Sequence, residues 1–169
     1  MSDVKLYSCS FHSPIGYINC IASDLGLREC KVVQSFDSSL SMDWHHQILN
    51  DTKMQLEEYF EGKRKSFKIP FDYGKATKFY KSVWKILLAI PYGSTRSYGE
   101  IATQLGDIQK SRAVGMANGK NPIAIIVPCH RVIGSDHSLT GYAYGIEKKL
   151  WLLNLENPDK WPTQTALFK

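Results

Sequence analysis

Apolar and polar positions alternate in three short runs within the first part of the chain. This two-residue period is typical of half-buried strands and predicts strands over residues 4–10, 16–23 and 26–33. A helical pattern follows, through Ile48 and Phe60, and Gly62 ends it. Residues 65–69 predict one more strand before a proline.

From residue 76 the apolar positions recur at helical spacing instead. The first such helix ends at a Pro-Tyr-Gly turn, and its apolar face consists of Phe79, Val83, Ile86, Leu87 and Ile90. Ser97 and Glu100 have the spacing of a capping box, which predicts a second helix to about residue 105. Asp107 is suited to cap a third helix, which carries residues 112–117. Two short helices joined by a tight turn form a helix-turn-helix.

Together these patterns predict an α+β protein of two domains. Residues 1–75 would form an N-terminal α/β domain with a small antiparallel sheet. Residues 76–169 would form a C-terminal helical domain with a winged-helix-like helix-turn-helix. The chain has 169 residues, 43% of them hydrophobic, which is enough to bury a core.

The composition limits the expected cellular location and the expected binding partners of the protein. No apolar run approaches the roughly 18 residues that cross a membrane, and the N-terminus lacks the pattern of a signal peptide. We therefore expect a cytoplasmic protein, not bound to membranes, whose four cysteines are reduced. The net charge of +5 favours a polyanionic partner only weakly.

The most informative stretch is residues 121–133. A short apolar run over residues 123–127 is ended by a proline, and Cys129 and His130 follow at once. One interpretation is a buried strand followed by a structural cysteine. The other is a nucleophile, because a neighbouring imidazole or cation, such as His130 or Arg131, favours the reactive thiolate. Adjacency in sequence does not decide between them.

Motifs spaced around this stretch point to a family. Residues 128–132 read Pro-Cys-His-Arg-Val, residues 112–115 read Arg-Ala-Val-Gly, and Ser97-Tyr98 and Asn121-Pro122 precede the cysteine. Gly-Tyr at residues 141–142, Trp-Leu-Leu at 151–153 and Glu156 follow it. In these motifs the chain resembles the methylated-DNA–protein-cysteine methyltransferases, also called O6-alkylguanine-DNA alkyltransferases. The match is gapless from about residue 79 to residue 156, and a looser one covers the N-terminal half.

The resemblance implies a nucleophile with a base and an orienting group. Cys129 would accept the alkyl group, and His130 would take the thiol proton through a bound water. Glu156 would orient and charge-stabilise that imidazole, and Asn121 would hold the turn around the cysteine. On spacing alone, Asn121 is equally an ordinary turn former, and Glu156 would pass as a surface acid.

The resemblance also implies double-stranded DNA containing O6-alkylguanine as the partner. The alkylated oxygen lies inside the base stack, so the nucleotide must be flipped out, and the second helix of the motif would enter the minor groove. Arg112 would fill the space that the flipped nucleotide leaves in the base stack. Tyr98 would press on the adjacent phosphate and help to recognise the base, with Ser97 as a further DNA-binding residue. The small residues that would let this helix approach DNA closely are Ala113, Gly115 and Ala117.

The pocket for the base is implied in the same way. Val132 and Ala143 would offer backbone groups to the guanine edge, and Tyr142 would form a wall. Tyr144 stands where the family more often has glycine, and Ala124 where a proline is common. Both departures predict a preference for methyl over larger alkyl groups, unless Tyr144 turns outward.

No cofactor is expected. Some family members bind a structural zinc, but Val4, Ser23 and Arg28 stand at the corresponding positions and cannot form that site. The predicted activity is a direct, irreversible, stoichiometric transfer by a monomer. The alternative is a non-catalytic helix-turn-helix protein that binds alkylated DNA; relatives of that kind replace the acceptor cysteine, which this chain retains. A cysteine hydrolase is a second rival.

Overall fold

Backbone contacts divide the chain into two units in the computed structural model, which describes residues 3–161. The first unit is Met1–Lys75 with Pro122–Ala124, and the second is Ala76–Asn121 with Ile125–Lys169. The segment Pro122–Ala124 thus groups with the first unit, although it follows the boundary predicted after residue 75. Residues 162–169, the end of the predicted C-terminal domain, lie outside the described residues.

The first unit is built on an antiparallel sheet with the strand order β1-β2-β3. Its strands are β1 (Tyr7–Ser13), β2 (Gly16–Ser23) and β3 (Gly26–Val33). The predicted bounds of β2 and β3 are confirmed, but the prediction of β1 over residues 4–10 was three residues too early. A tight turn explains the difference, because Ser13 pairs with Gly16 and its hydroxyl donates to the Gly16 carbonyl at 2.6 Å. That turn fixes the end of β1 at Ser13.

One helix, α1 (Gln47–Phe60), packs on the sheet of the first unit and confirms the predicted helical segment. The buried residues of the three strands and the helix include Cys9, Phe11, Ile18, Cys20, Cys30, Leu49, Leu56 and Tyr59. Residues 65–69, for which a strand was predicted, do not form one. The Gln55 side chain explains this, because its amide bonds the backbone of Lys68 in both directions, at 2.8 and 3.2 Å. A side chain thereby takes the place of a partner strand.

The second unit is mainly helical. Its helices are α2 (Lys78–Leu88), α3 (Tyr98–Gln104), α4 (Ser111–Gly119) and α5 (Ile146–Glu156), and its two-residue strands β4 (Arg96–Ser97) and β5 (Val132–Ile133) pair in parallel. The capping box at Ser97 and Glu100 is confirmed. The prediction that Asp107 caps the third helix was wrong. The Asp107 side chain accepts a hydrogen bond from the backbone N–H of Gln109 and caps a short 3-10 turn that precedes α4.

The apolar run over residues 123–127 is not a strand. All five of its residues are buried, and Ile125 has a positive φ of 71°, so the segment turns sharply. Its strand-like pairing is a single bridge between Ile123 and Cys30, within the first unit. Among the described residues, no helix is long and apolar enough to cross a membrane.

Candidate active site and nucleic-acid interface

Cys129 begins a short 3-10 turn, Cys129–Arg131, and its side chain is buried. Two asparagines hold the backbone around it. The Asn121 amide donates to the Val127 carbonyl at 2.7 Å, and the Asn118 amide donates to the Cys129 carbonyl at 3.4 Å. The structure therefore places Asn121 where the sequence analysis put it, at the turn before the cysteine.

Burial raises the pKa of the Cys129 thiol above its usual value, while a hydrogen bond with Asn121 and the charge of Lys149 act in the opposite direction. The thiol is consequently neutral at neutral pH. This differs from the interpretation that His130 or Arg131 supplies the charge that favours the thiolate. A buried neutral thiol needs a base that removes its proton as it reacts.

His130 and Glu156 form a buried pair, with His130 Nε2 and Glu156 Oε1 2.7 Å apart. A carboxylate only accepts hydrogen bonds, so Nε2 carries the proton and Nδ1 keeps its lone pair. His130 Nδ1 is buried and has no hydrogen-bond partner among the described residues. Burial lowers the pKa of His130. The imidazole is therefore a neutral acceptor next to Cys129 in the chain.

Arg131 binds the same carboxylate. Its Nε and Nη2 atoms donate to the two oxygens of Glu156 at 2.9 and 3.0 Å, and Nη1 donates to the Ile90 carbonyl at 2.7 Å. The Gly93 amide also donates to Glu156, at 3.1 Å. Burial opposes the charge of Glu156, but the hydrogen bonds from His130 and Arg131 and the positive charge of Arg131 hold the pKa of Glu156 well below its usual value. Glu156 thus remains ionised.

Lys149 is a second buried cation near the cysteine. Its Nζ donates to the Thr140 carbonyl at 3.0 Å and to the Val132 carbonyl at 2.5 Å. Burial lowers the pKa of Lys149 to about 8, and the coulombic effect of Cys129 opposes that shift. The ammonium therefore ties the loop before α5 to the strand that follows the cysteine.

The roles of Arg131 and Lys149 were not predicted from the sequence. One signal was available for Lys149, which shares a helical face with Leu152, Leu153 and Glu156 at spacings of three, four and seven residues. A lysine on an otherwise buried face needs partners for its charge. The pairing of Arg131 with Glu156 spans 25 residues and depends on the fold.

An open cavity lies between α4 and the loop before α5. Its lining includes Tyr98, Ser111, Arg112, Gly115, Gly119, Thr140, Gly141, Tyr142 and Ala143. The Tyr98 hydroxyl donates to the Thr140 carbonyl at 3.2 Å. Arg112 is exposed and has no hydrogen bond or ion pair among the described residues. The structure thus brings together Tyr98, Arg112, Gly115, Tyr142 and Ala143 from the predicted set.

Other predicted site residues lie beside this cavity and not on its wall. Tyr144 is half-buried, with its ring edge-on to Tyr142 at a centroid distance of 5.4 Å. Val132 is buried in β5, and Ser97 caps α3. Ala113 is half-buried on α4.

Ala124 is fully buried in the first unit, where its amide donates to the Cys30 carbonyl at 2.9 Å. It is not among the residues that line the cavity.

Packing within the described part of the chain does not require glycine at Gly115 or Gly119 of α4. A Cβ added at Gly119 would meet nothing within 4 Å, and one added at Gly115 would meet only the Tyr98 ring, at an ordinary 3.9 Å. The small residues of α4 therefore leave space at the helix surface in which a binding partner can approach the backbone. Among residues 3–161, no group of three or more His, Cys, Asp or Glu side chains is placed to hold a metal ion.

Comparisons with known proteins agree with this geometry. Residues 6–73 match the family model of the 6-O-methylguanine DNA methyltransferase, ribonuclease-like domain, and residues 78–158 that of the 6-O-methylguanine DNA methyltransferase, DNA binding domain. A methylated-DNA–protein-cysteine methyltransferase of Methanosarcina acetivorans is 46% identical over 89% of this chain and 98% of its own length. The chain belongs to the 6-O-methylguanine DNA methyltransferase family. The resemblance inferred from the motifs is confirmed.

Solved structures confirm the fold class of this family member. The crystal structure of Mycobacterium tuberculosis O6-methylguanine methyltransferase covers 98% of this chain and 100% of its own, with a TM-score of 0.81 and 42% identity. A crystal structure of Mycobacterium tuberculosis OGT in complex with DNA covers 96% of this chain and 99% of its own, with a TM-score of 0.83 and 42% identity.

Proposed function

We propose that this family member repairs DNA by moving an alkyl group from O6 of guanine directly onto the sulfur of Cys129. The observation that carries the assignment to Cys129 is the orientation of His130. Its Nε2 is occupied by Glu156, which leaves the Nδ1 lone pair as the proton acceptor in the residue next to the cysteine. A nucleophile, a base and an orienting carboxylate are the parts that covalent catalysis requires.

The reaction follows from these groups. The thiol proton passes to His130 Nδ1, through a bridging water, as the sulfur attacks the alkyl carbon. The carbon–oxygen bond breaks, its electron pair stays on the guanine, and the guanine anion takes up a proton from solvent, while His130 later releases the thiol proton to solvent. Glu156, kept ionised by Arg131, stabilises the imidazolium that forms. The thioether product is stable, so each molecule acts once, and no step needs a cofactor.

The DNA face is proposed on the second unit. Arg112 is exposed and unpaired among the described residues, and it lies on the same cavity as Tyr98. We propose that both act in the minor groove, where Arg112 would replace the flipped nucleotide in the base stack and Tyr98 would press on the adjacent phosphate. Gly115 and Gly119 allow α4 to approach the sugar-phosphate chain closely. The Mycobacterium tuberculosis relative solved with DNA supports a nucleic-acid partner.

We further propose a cytoplasmic monomer whose two domains, residues 1–75 and 76–169, have separate roles. The second of these supplies Cys129, His130 and Glu156, as well as the exposed Arg112. A single chain therefore carries the whole reaction centre. The non-catalytic alternative would not need a cysteine with a base beside it.

Substitution of Cys129 tests the assignment. Cys129→Ser should abolish transfer of a labelled methyl group from DNA while leaving DNA affinity within about twofold, because the reaction and the grip use different residues. The matched control is Cys30→Ala, at a buried thiol of β3, which should still accept one methyl group. Label retained by Cys129→Ser, or lost from Cys30→Ala in a folded protein, would overturn the assignment.

A further inference from the structure

A second cavity in the second unit is rich in basic side chains and lies apart from Cys129. It encloses about 420 Å³ beside the β4–β5 pair, and its lining includes Thr95, Arg96, Ser97, Glu100, His137 and Lys160. Neither Arg96 nor Lys160 forms an ion pair among the described residues. Two cations at one open cavity attract an anion.

The chain segment after α5 is held so that Lys160 reaches this cavity. The Asn157 amide donates to the Gly93 carbonyl at 3.1 Å, and the Asn154 amide donates to the Trp161 carbonyl at 2.9 Å. Lys160 Nζ then lies 3.3 Å from the Thr95 hydroxyl. Lys160 follows residue 158, where the match to the family model ends, so the match does not account for this lysine.

The acidic side chains near this cavity, Glu100 and Asp136, accept hydrogen bonds from neighbouring residues. The carboxylate of Glu100 lies at the lining of the cavity, and it accepts from the Ser97 amide at 2.6 Å in the capping box. Asp136 accepts from the amide and the hydroxyl of Ser138, at 3.0 and 2.6 Å. Arg96 donates to Gln104, a neutral side chain, at 3.2 Å. Glu100 remains ionised and offsets part of the positive charge of Arg96 and His137, while Lys160 forms no ion pair among the described residues.

We propose that Arg96 and Lys160 bind a phosphate of the DNA strand that passes Tyr98, outside the contacts made by α4. This inference rests on the proposed function, since it assumes that DNA lies along α3 and α4. The two cavities adjoin in the chain, which supports the proposal. Ser97 lines the basic cavity and directly precedes Tyr98, which lines the cavity that contains Arg112. Hydroxyls and amides around two cations suit a phosphate group.

The salt dependence of DNA binding tests the proposal. The full chain is titrated with a short duplex of unmodified DNA at several salt concentrations. Each phosphate contact contributes about 0.9 to the slope of log affinity against log salt. The double variant Arg96→Gln/Lys160→Gln should make the slope shallower by about that amount, and each single variant should make it shallower by part of that amount. The control, Lys85→Gln, changes an exposed lysine of α2 that is not part of this lining and should keep the wild-type slope.

A change of opposite sign sharpens the test. Glu100→Gln removes a negative charge from the cavity while a glutamine can still close the capping box, so it should bind DNA more tightly at equal salt. Wild-type slopes for Arg96→Gln and Lys160→Gln, an equal loss in Lys85→Gln, or weaker or unchanged binding by Glu100→Gln would overturn the proposal. The experiment measures DNA binding and not methyl transfer. A negative result here would therefore not bear on methyl transfer to Cys129, and a protein that fails to transfer a methyl group can still be tested for this salt dependence.

Discussion

At the scale of single residues, the charge of Glu156 links the reaction to stability. The carboxylate is shared between His130 and Arg131, both of them buried. Arg131 compensates the charge permanently, whereas His130 has to stay neutral until it receives the thiol proton. With Arg131 in place, Glu156 can orient His130 without requiring it to be protonated. Arg131 is on this account a positioning residue that acts through Glu156.

Arg131→Met should therefore destabilise the protein strongly, because it leaves a buried carboxylate without its fixed partner. Breaking a buried pair from one side costs about 3–5 kcal/mol, measured as the free energy of unfolding in urea. The control is Lys31→Met, which removes an exposed ion pair with Glu29 and should cost far less. The pH dependence of the transfer rate gives a second readout, since His130 should titrate at higher pH in Arg131→Met. Equal stability of the two variants would contradict this role.

We expect Tyr144 to shape the base pocket through its neighbour Tyr142. Its ring supports Tyr142 from the side at 5.4 Å, and Tyr142 lines the cavity. Tyr144→Gly removes that support, so the wall can yield, and the rate with O6-benzylguanine should rise severalfold relative to the rate with O6-methylguanine DNA. Tyr144→Phe keeps the ring and should keep the wild-type ratio of the two rates. An unchanged ratio in Tyr144→Gly would rule out a gate at this position.

At the scale of elements, α4 is expected to keep the flipped nucleotide out of the stack. Arg112→Ala should slow methyl transfer from duplex DNA by about tenfold or more, because unstacking costs a few kcal/mol that the arginine would offset. Transfer from free O6-methylguanine base needs no flipping and should change little. Both rates are measured in single-turnover experiments. Equal losses on the two substrates would place Arg112 in the base pocket instead.

Helices were easier to predict from the sequence than the irregular segments. The apolar spacing of α2 and the capping box of α3 are local signals, and the structure confirms both elements. Residues 65–69 and 123–127 were interpreted as strands. Polar and apolar positions alternate in the first segment, and the second is entirely apolar. Their backbone partners are instead the Gln55 side chain, and Asn121 with Cys30. Hydrogen bonds of this kind, from side chains or from a single distant residue, leave no periodic trace in the sequence. The two-residue strands β4 and β5 are too short to have one.

At the scale of the whole molecule, the motifs predicted the residues of the reaction centre but not its electrostatics. Cys129, His130 and Asn121 lie within nine residues of one another, and the resemblance to the family implied that they belong to one centre. The structure adds that burial keeps the Cys129 thiol neutral and that Arg131 shares Glu156 with His130. Charge compensation depends on burial and on contacts between distant segments, neither of which can be read from a linear pattern.

The site of methylation in the intact protein tests the central claim most directly. Wild-type protein is incubated with an excess of duplex DNA carrying O6-methylguanine, and its mass is measured before and after proteolysis. The intact mass should rise once, by about 14 Da for a methyl group in place of a proton, and the gain should lie on the peptide that contains Cys129. No gain, a gain on any other residue, or more methyl groups removed from DNA than protein molecules present would contradict the account.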